Sequence, residues 1–316
     1  MRTFPDSPRG RTFLRYAAAG SAVAGAALAG WGVLIEPRLI EQRAETAEIA
    51  NLPAAWDGQR IALLADLQVG AWFSNVETVK RSLRRLLQAG PALALIAGDF
   101  VYDAAHDAAG AIGLAAALVG ALPASIPTYA VLGNHDYAHE SDAPEPRRRR
   151  IARELHRALE AAGVRVLQNE AVPLPPPRET APGERPLYLV GIGEPAAGEA
   201  RPLEAIRQAP TDAPRLVLMH NPGSFPDLPP GSAPLALAGH THGGQIRVPF
   251  KPGWGPARLT QPWPQYADGW IRGYGQPGNR LYVNRGVGFS HLPLRFGCRP
   301  ELTLFTLRPG TPASPD

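Results

Sequence analysis

Short apolar runs recur along the middle of the chain, and most of them stop on a polar residue. RIALLAD (Arg60–Asp66), ALALIAGD (Ala92–Asp99) and PTYAVLGNHD (Pro127–Asp136) have the form of buried strands. Between them the period changes from strand to helix. Asn75 is placed to cap a helix reaching about Gln88, with Val76, Val79, Leu83, Leu86 and Leu87 on one face and Gly90 as its stop. A second, Ala/Leu-rich helix is predicted over Ala108–Leu122 and a third near Ile151–Ala162. Strand, helix, strand, helix, strand is the order that builds a parallel sheet with covered faces. Val172–Pro186 (VPLPPPRETAPGERP) is too rich in proline for a central strand and reads as a loop or arm. Strands resume at LYLVGIG, RLVLMH and PLALAGH, then at LYVNRG and ELTLFTL. With no internal repeat and no second core, one domain over residues 57–310 is expected, followed by a tail, 311–316.

The amino terminus has a different pattern. Residues 1–15 form a basic segment with Arg2, Arg9, Arg11 and Arg15 against Asp6, and Tyr16–Ile35 then runs twenty residues without a charge. At about 1.5 Å per residue that run matches a bilayer core of about 30 Å. The arginines ahead of it place the amino terminus in the cytoplasm and the domain outside. The segment can stay as a transmembrane signal anchor, with Trp31 near the far interface, or be removed as an export signal, since Arg9–Arg15 (RGRTFLR) is similar to a degraded twin-arginine signal; a buried helix of a soluble protein is the third reading. Residues 36–56 are expected to be a linker.

Composition narrows the classes. Of 316 residues 45% are hydrophobic and 19% charged, enough apolar content for a folded core. The single cysteine, Cys298, excludes an intramolecular disulfide and a thiolate-built zinc site, and is expected to be a small buried residue. Of the net charge of +4, the first fifteen residues supply +3, four arginines less one aspartate. The folded part is therefore near neutral, and nucleic acid is not an expected partner.

The polar residues that close the strands are Asp66, Asp99, Asn134 with His135, His220, and His240 with His242. At the carboxyl ends of open α/β strands they meet in the crevice where such sheets bind ligands. Carboxylates crowded in a dry crevice resist ionisation unless cations balance them. Oxygen and imidazole donors without thiolate suit Mn, Fe, Zn or Co, and two ions about 3.5–4 Å apart would use this donor count. In extended backbone i and i+2 point alike, so Asp66 pairs with Gln68 and His240 with His242. Glycines 98, 133, 243 and 244 allow the tight turns. No Gly-x-Gly-x-x-Gly follows the first strand, where Asp66–Gly70 reads DLQVG, so a nucleotide-binding Rossmann module is excluded.

Asp66-Leu67-Gln68, Gly98-Asp99-Phe100, Gly133-Asn134-His135-Asp136, a lone His220 and Gly239-His240-Thr241-His242 resemble, in order, the motif set of calcineurin-like metallophosphoesterases. The extended GHTHGGQ (Gly239–Gln245), the apolar amino-terminal segment and the ending LYVNRGVG…LPLRF…RPELTLFTL are similar to the membrane-associated YkuE-like branch. The resemblance covers nearly all of 57–310. It implies an α/β sandwich of two mixed β-sheets flanked by helices, behind an N-terminal transmembrane helix. It implies two divalent or trivalent transition-metal ions: Asp66, Asp99 and His242 on the first, and Asp99, Asn134, His220 and His240 on the second, with Asp99 bridging. His135 would stabilise the phosphoryl oxygens or protonate the leaving oxygen while water activated between the ions attacks phosphorus.

Two departures from the family pattern stand out. Its first motif is Asp-x-His, and here Gln68 replaces the histidine; a neutral carboxamide oxygen can ligate, more weakly than imidazole, or hold a water. No aspartate lies three residues after Asp99, so Asp103 or Asp136 is left to orient His135.

The expected activity is hydrolysis of a phosphomonoester or phosphodiester, with a lipid or envelope-linked substrate suggested by location alone. The alternative is a non-hydrolytic module that binds phosphorylated ligands and has an impaired first metal site. Arg285 and Arg295 are candidate substrate-phosphate contacts, and membrane lipid is the expected neighbour. Tyr137, Asn221 and Gln245 adjoin the motif residues and can shape the pocket. His291 is expected to be structural, and His106, His139 and His156 to lie at the surface. The run Arg147–Arg150 is read as a solvated basic face, with a basic rim that attracts anionic headgroups as the alternative. Trp254, Trp263 and Trp270 fall in a Gly/Pro-rich stretch expected to form loops over the site or toward lipid.

Overall fold

The first half of the chain alternates strands and helices as the periodicity requires. It runs α1 (Pro8–Gly30), β1 (Glu41–Ala50), β2 (Arg60–Leu64), α2 (Val76–Ala89), β3 (Leu93–Ala97), α3 (Ala108–Val119), β4 (Thr128–Val131) and α4 (Glu145–Ala161). The second half has shorter elements: β5 (Arg165–Val166), β6 (Glu170–Pro173), β7 (Tyr188–Gly191), α5 (Pro202–Arg207), β8 (Arg215–Leu218) and β9 (Ala236–Ala238). It closes with β10 (Gly269–Ile271), β11 (Leu281–Val283) and β12 (Glu301–Gly310). The structure, a computed structural model, describes residues 8–71, 73–102, 108–138, 141–180, 183–247 and 268–310. Asp103, His106, His139, Trp254, Trp263 and the tail 311–316 lie outside the described residues.

Two six-stranded sheets result, ordered β1-β12-β2-β3-β4-β5 and β10-β11-β9-β8-β7-β6. Both are mixed: β2, β3, β4 and β5 run parallel, as do β7, β8, β9 and β11, while β12–β2, β6–β7 and β10–β11 are antiparallel. Alternate residues of one strand feed different layers, because successive side chains point to opposite faces. Ile61 and Leu63 of β2 join Leu189, Leu216, Leu218 and Leu237 in the core between the sheets. Ala62 and Leu64 face the other way, onto Val79, Leu83 and Leu86 of α2, Ile112 and Ala115 of α3, and Leu155 and Leu159 of α4. The outer face of the second sheet packs Val190, Val217 and Val283 on Ile206 of α5 and on Phe225. The sandwich is thus helix, sheet, sheet, helix.

Four expectations about the elements change. The segment 36–56, read as a linker, contains β1, which pairs in parallel with β12 over ten residues. Its sequence EQRAETAEIA carries weak β signal because it is an edge strand: Gln42, Ala44, Thr46 and Glu48 are exposed, Glu41, Arg43 and Glu45 are half-buried on the other face, and only Ala47 and Ile49 are deeply buried. Helix α4 begins six residues earlier than its apolar face suggests, since Pro144 caps it and Pro146 fits its first turn. Glu145 offsets the basic run there; Arg149 pairs with Glu145 and Glu199, and Arg150 with Glu154 at 3.7 Å. The stretch read as an arm contributes Val172 and Pro173 to β6, an edge strand. Trp270 lies in β10 rather than a loop, against Tyr282 and Phe305, with its indole N–H donating to Glu45 at 3.0 Å.

Gly90 adopts a left-handed conformation and ends α2 as expected, but the Asn75 side chain turns away from the helix and donates to the Leu67 carbonyl at 2.6 Å. The apolar helix α1 is almost wholly exposed, and Arg15–Arg38 is long and apolar enough to cross a membrane. The residues that follow α1 dock on the domain. Gly32 is buried, and its carbonyl accepts from the Arg295 N–H at 3.0 Å. Buried Glu36 accepts from the Cys298 N–H at 2.7 Å and from the Trp31 indole at 2.8 Å. The Pro37 carbonyl accepts from the Thr78 hydroxyl at 3.1 Å.

Candidate metal centre

Every strand that ends on a candidate ligand delivers it to the same end of the sandwich. Asp66 and Gln68 follow β2, Asp99 follows β3, Asn134 and His135 follow β4, His220 follows β8, and His240 and His242 follow β9. The turns that bring them together are unusual. Asp66, Gln68, Asp99, His240 and His242 all have positive φ, between 50° and 73°. The two i, i+2 pairs are therefore not extended; left-handed residues re-aim each side chain, a strain of the kind stored at functional sites. Gly133 allows the closest approach, because a Cβ there would stand 2.2 Å from Asp99 Oδ1 and 2.8 Å from the His220 ring.

Two clusters share Asp99. In one, Asp66, Asp99 and His242 offer donor atoms all within 4.8 Å of one another. In the other, Asn134 Oδ1 lies 3.1 Å from His220 Nε2 and 2.9 Å from His240 Nδ1, those two nitrogens are 3.2 Å apart, and His220 Nε2 is 3.4 Å from Asp99 Oδ2. The His220 Nδ1–H donates to the Ala97 carbonyl at 2.7 Å, which turns Nε2 into the cluster. Asp99 Oδ1 accepts the His135 N–H at 3.0 Å, so the carboxylate is oriented with Oδ2 toward His220 and the Gln68 amide. Gln68 Oε1 and His242 Nδ1 are buried without a partner. Converging lone pairs and orphaned acceptors in a dry site fit cations, with oxygen and imidazole donors suited to transition metals.

The electrostatics agree. Burial lifts the Asp66 carboxyl to about 7, with the Asp99 charge adding and His220 opposing. Burial would lift Asp99 too, but the charges of His220 and His135 pull it below the ordinary carboxylate range. Burial would lower His220, and Asp99 instead holds it well above its ordinary value. Burial and then His220 push His240 down to about 3, and burial and then Arg295 push His242 well down.

These shifts give a signed expectation for pH. Asp66 binds its proton to about pH 7 when folded but only to about 3.9 when unfolded, so its contribution to the stability of the fold is lost as pH rises between those values. His240 and His242, held low, instead cost stability as pH falls below about 6.5. His220 acts in the same direction as Asp66, its contribution being present below about pH 6.5 and lost as pH climbs through its raised folded value. Asp99, held low, loses its contribution only on acidification below that window. Cations need these groups deprotonated. The melting-temperature gap between metal-loaded and chelator-stripped protein should therefore widen from pH 5 to pH 8; a constant gap would contradict the site.

His135 is buried, and its Nδ1 meets the Tyr102 carbonyl at 2.7 Å while its ring stacks on Tyr102 at 5.3 Å. A carbonyl thus orients His135. Asp136 acts elsewhere, its carboxylate accepting the backbone N–H groups of Asp99, Phe100, Val101 and Gly133 at 2.8–3.2 Å. It clamps the two ligand loops together.

The arginines expected on substrate phosphate are buried. Arg295 has its guanidinium on the carbonyls of Arg285, Gly286, Gly288 and Cys298. Arg285 lies among Glu301, Glu41 at 3.0 Å and Asp268 at 3.8 Å. The structure gives both a bracing place in the wall behind Asp66, where burial has left the guanidiniums no open face. Gln245 ties down the loop 290–292, its amide donating to the Ser290 and Leu292 carbonyls at 3.0 and 2.9 Å. His291 is exposed in that loop, its N–H donating to the Tyr102 hydroxyl at 3.2 Å. Asn221 caps the turn Pro222–Asp227, and the Tyr137 hydroxyl accepts from Gln168 at 3.3 Å. His156 is half-buried, 3.9 Å from Glu160, and Cys298 is buried as expected. Sequence reasoning misses Glu194, buried beside His220 and Asn221, with burial raising its carboxyl. The signal that finds it is the one used for the others, a polar residue just past an apolar strand, here β7.

Residues 59–244 match the family model described as calcineurin-like phosphoesterase. Among curated proteins, the chain is 30% identical to "Phosphodiesterase YaeI" of Escherichia coli over 88% of this chain and 89% of that one. It is 28% identical to "Uncharacterized metallophosphoesterase YkuE" of Bacillus subtilis, over 92% and 94% respectively. It is 23% identical to "UDP-2,3-diacylglucosamine pyrophosphatase LpxG" of Chlamydia muridarum, over 87% and 91%.

Proposed function

Because this chain belongs to the calcineurin-like phosphoesterase family, we propose that it hydrolyses a phosphate diester or monoester at a two-metal centre made by Asp66, Gln68, Asp99, Asn134, His220, His240 and His242. The observation that carries this reading is the pair of donor clusters sharing the Asp99 carboxylate. Two divalent or trivalent transition-metal ions bound there supply Lewis acidity and an activated water. The chain's own groups do the rest. Asp99, its plane held by the His135 N–H, would be the ligand common to both ions. The Tyr102 carbonyl accepts a hydrogen bond from the Nδ1–H of His135 and leaves Nε2 facing away from it. Protonated, that nitrogen can donate to a phosphoryl or leaving oxygen; neutral, it can only accept.

Two features of the relatives bear on the substrate. One is named a phosphodiesterase and another acts on a diacylated sugar nucleotide. A phosphodiester or pyrophosphate with an apolar substituent is the substrate class both are compatible with. The reading also includes a retained anchor with the domain outside the cytoplasm. Trp31–Arg38 packs on the domain, and removing the helix at its end would strip the contacts of Gly32 and Trp31.

Stripped protein should hydrolyse neither bis(p-nitrophenyl) phosphate nor p-nitrophenyl phosphate, and reloading with Mn2+, Co2+ or Zn2+ should restore turnover, the diester being the better substrate. Full metal loading without turnover of either ester would overturn the hydrolytic reading in favour of a binding module.

A further inference from the structure

Gln68 is fully buried at φ +51°, so the fold spends strain on placing its amide. The amide nitrogen donates to Asp99 Oδ2 at 2.8 Å, while Oε1 has no partner. Such a separation is also what neighbouring oxygen ligands of one small cation keep. The NH2 group thus lies against the carboxylate that both clusters share. An amide half-turn exchanges nitrogen for oxygen with almost no change of shape. The side chain cannot retreat: a Cβ on Gly288 would lie 2.7 Å from the Gln68 Cβ, so backbone presses on it from behind.

Counting donors then separates the two positions. The second has two oxygens and two imidazoles, Asp99, Asn134, His220 and His240. The first, completed by Gln68, has three oxygens, Asp66, Asp99 and Gln68, and one imidazole, His242. Nitrogen donors favour late transition metals such as Zn2+, and oxygen donors are better matched to Mn2+. Building on the two-metal reading above, we infer that the first position is a weak, oxygen-preferring site, completed by Gln68 Oε1, that fills only after the second, so that free divalent cation gates turnover. A carboxamide where an imidazole could stand keeps the pair unequal.

The test is metal titration of stripped full-length protein by calorimetry, with metal analysis after dialysis. Wild type should take up one Zn2+ tightly and a second about tenfold or more weaker, a spread of the size that changes around a metal produce. Gln68→His should raise the weak Zn2+ affinity by about tenfold or more and leave Mn2+ nearly unchanged. Gln68→Met, of similar volume and without an oxygen, should weaken the first position further for both metals, which keeps the test usable if the histidine variant fails to fold. Two equal Zn2+ sites in wild type, or a Gln68→Met protein that binds as wild type does, would overturn the inference while leaving the two-metal reading intact. Uptake of no metal by wild type would instead overturn the reading on which it rests.

Discussion

Asp99→Ala is expected to abolish both metal retention and phosphoester hydrolysis, with turnover falling by at least about 10³-fold, beyond the loss of a single stabilising contact. The reason is that one carboxylate belongs to both clusters. Asp99 Oδ2 lies 3.4 Å from His220 Nε2 and 2.8 Å from the Gln68 amide, while Oδ1 is committed to the His135 N–H. Alanine removes the only group placed to hold two cations at a fixed spacing among the described residues. His135→Ala is the contrasting case. Its backbone N–H still orients Asp99, so metal content should stay at the wild-type level while turnover falls by about 10²–10⁴-fold, the range for a positioned acid or base. Parallel metal analysis and assay of the two variants decide the matter. Appreciable hydrolysis by Asp99→Ala would sink the assignment, and loss of metal from His135→Ala would make that histidine structural.

The second large effect is on stability. Asp136 is fully buried, and all four of its hydrogen bonds come from backbone N–H groups of the two ligand loops. Asparagine fills the same space but turns one acceptor oxygen into a donor facing other donors. Leaving buried backbone N–H donors unpaired costs about 1–3 kcal/mol each, or roughly 3–5 kcal/mol for the two that face the new NH2 group. At about 2–4 °C per kcal/mol for a domain of this size, the melting temperature should fall by roughly 6–20 °C. Saturating metal should recover part of that through binding to the native state. Aspartate restored by reversion is the control. A melting temperature within a degree of wild type would show that the loops are held by something else.

How much of this could be seen in the sequence follows from which forces are local. The parallel strands were legible because Ile61, Leu63 and Leu95 belong to continuous apolar runs, and the candidate ligands because each run breaks off at a polar residue. β1 was not legible, because a strand half open to water needs no apolar run and EQRAETAEIA has none. The partner of His135 was hidden for another reason: a backbone carbonyl leaves no residue-type signature, whereas a carboxylate would have. Arg285 and Arg295 show the same limit from the other side. An arginine on carbonyls, as Arg295 is, or among carboxylates, as Arg285 is, reads in one dimension like an arginine awaiting phosphate. The aim of Asp66, Gln68, Asp99, His240 and His242 depends on left-handed turns that residue type does not announce, and a simple extended alternation reaches the right side chains through the wrong backbone.

The stub that leaves α1 ends on hydrogen bonds at Gly32, Glu36 and Pro37, and their partners include Arg295 and Cys298, in the wall of the metal centre. A domain on a floppy stalk sweeps a wide volume and can meet its substrate at any height. This one is bolted to its post. With α1 set across a bilayer, the mouth would keep one elevation and one heading over the lipid, and reach would select substrates before affinity did.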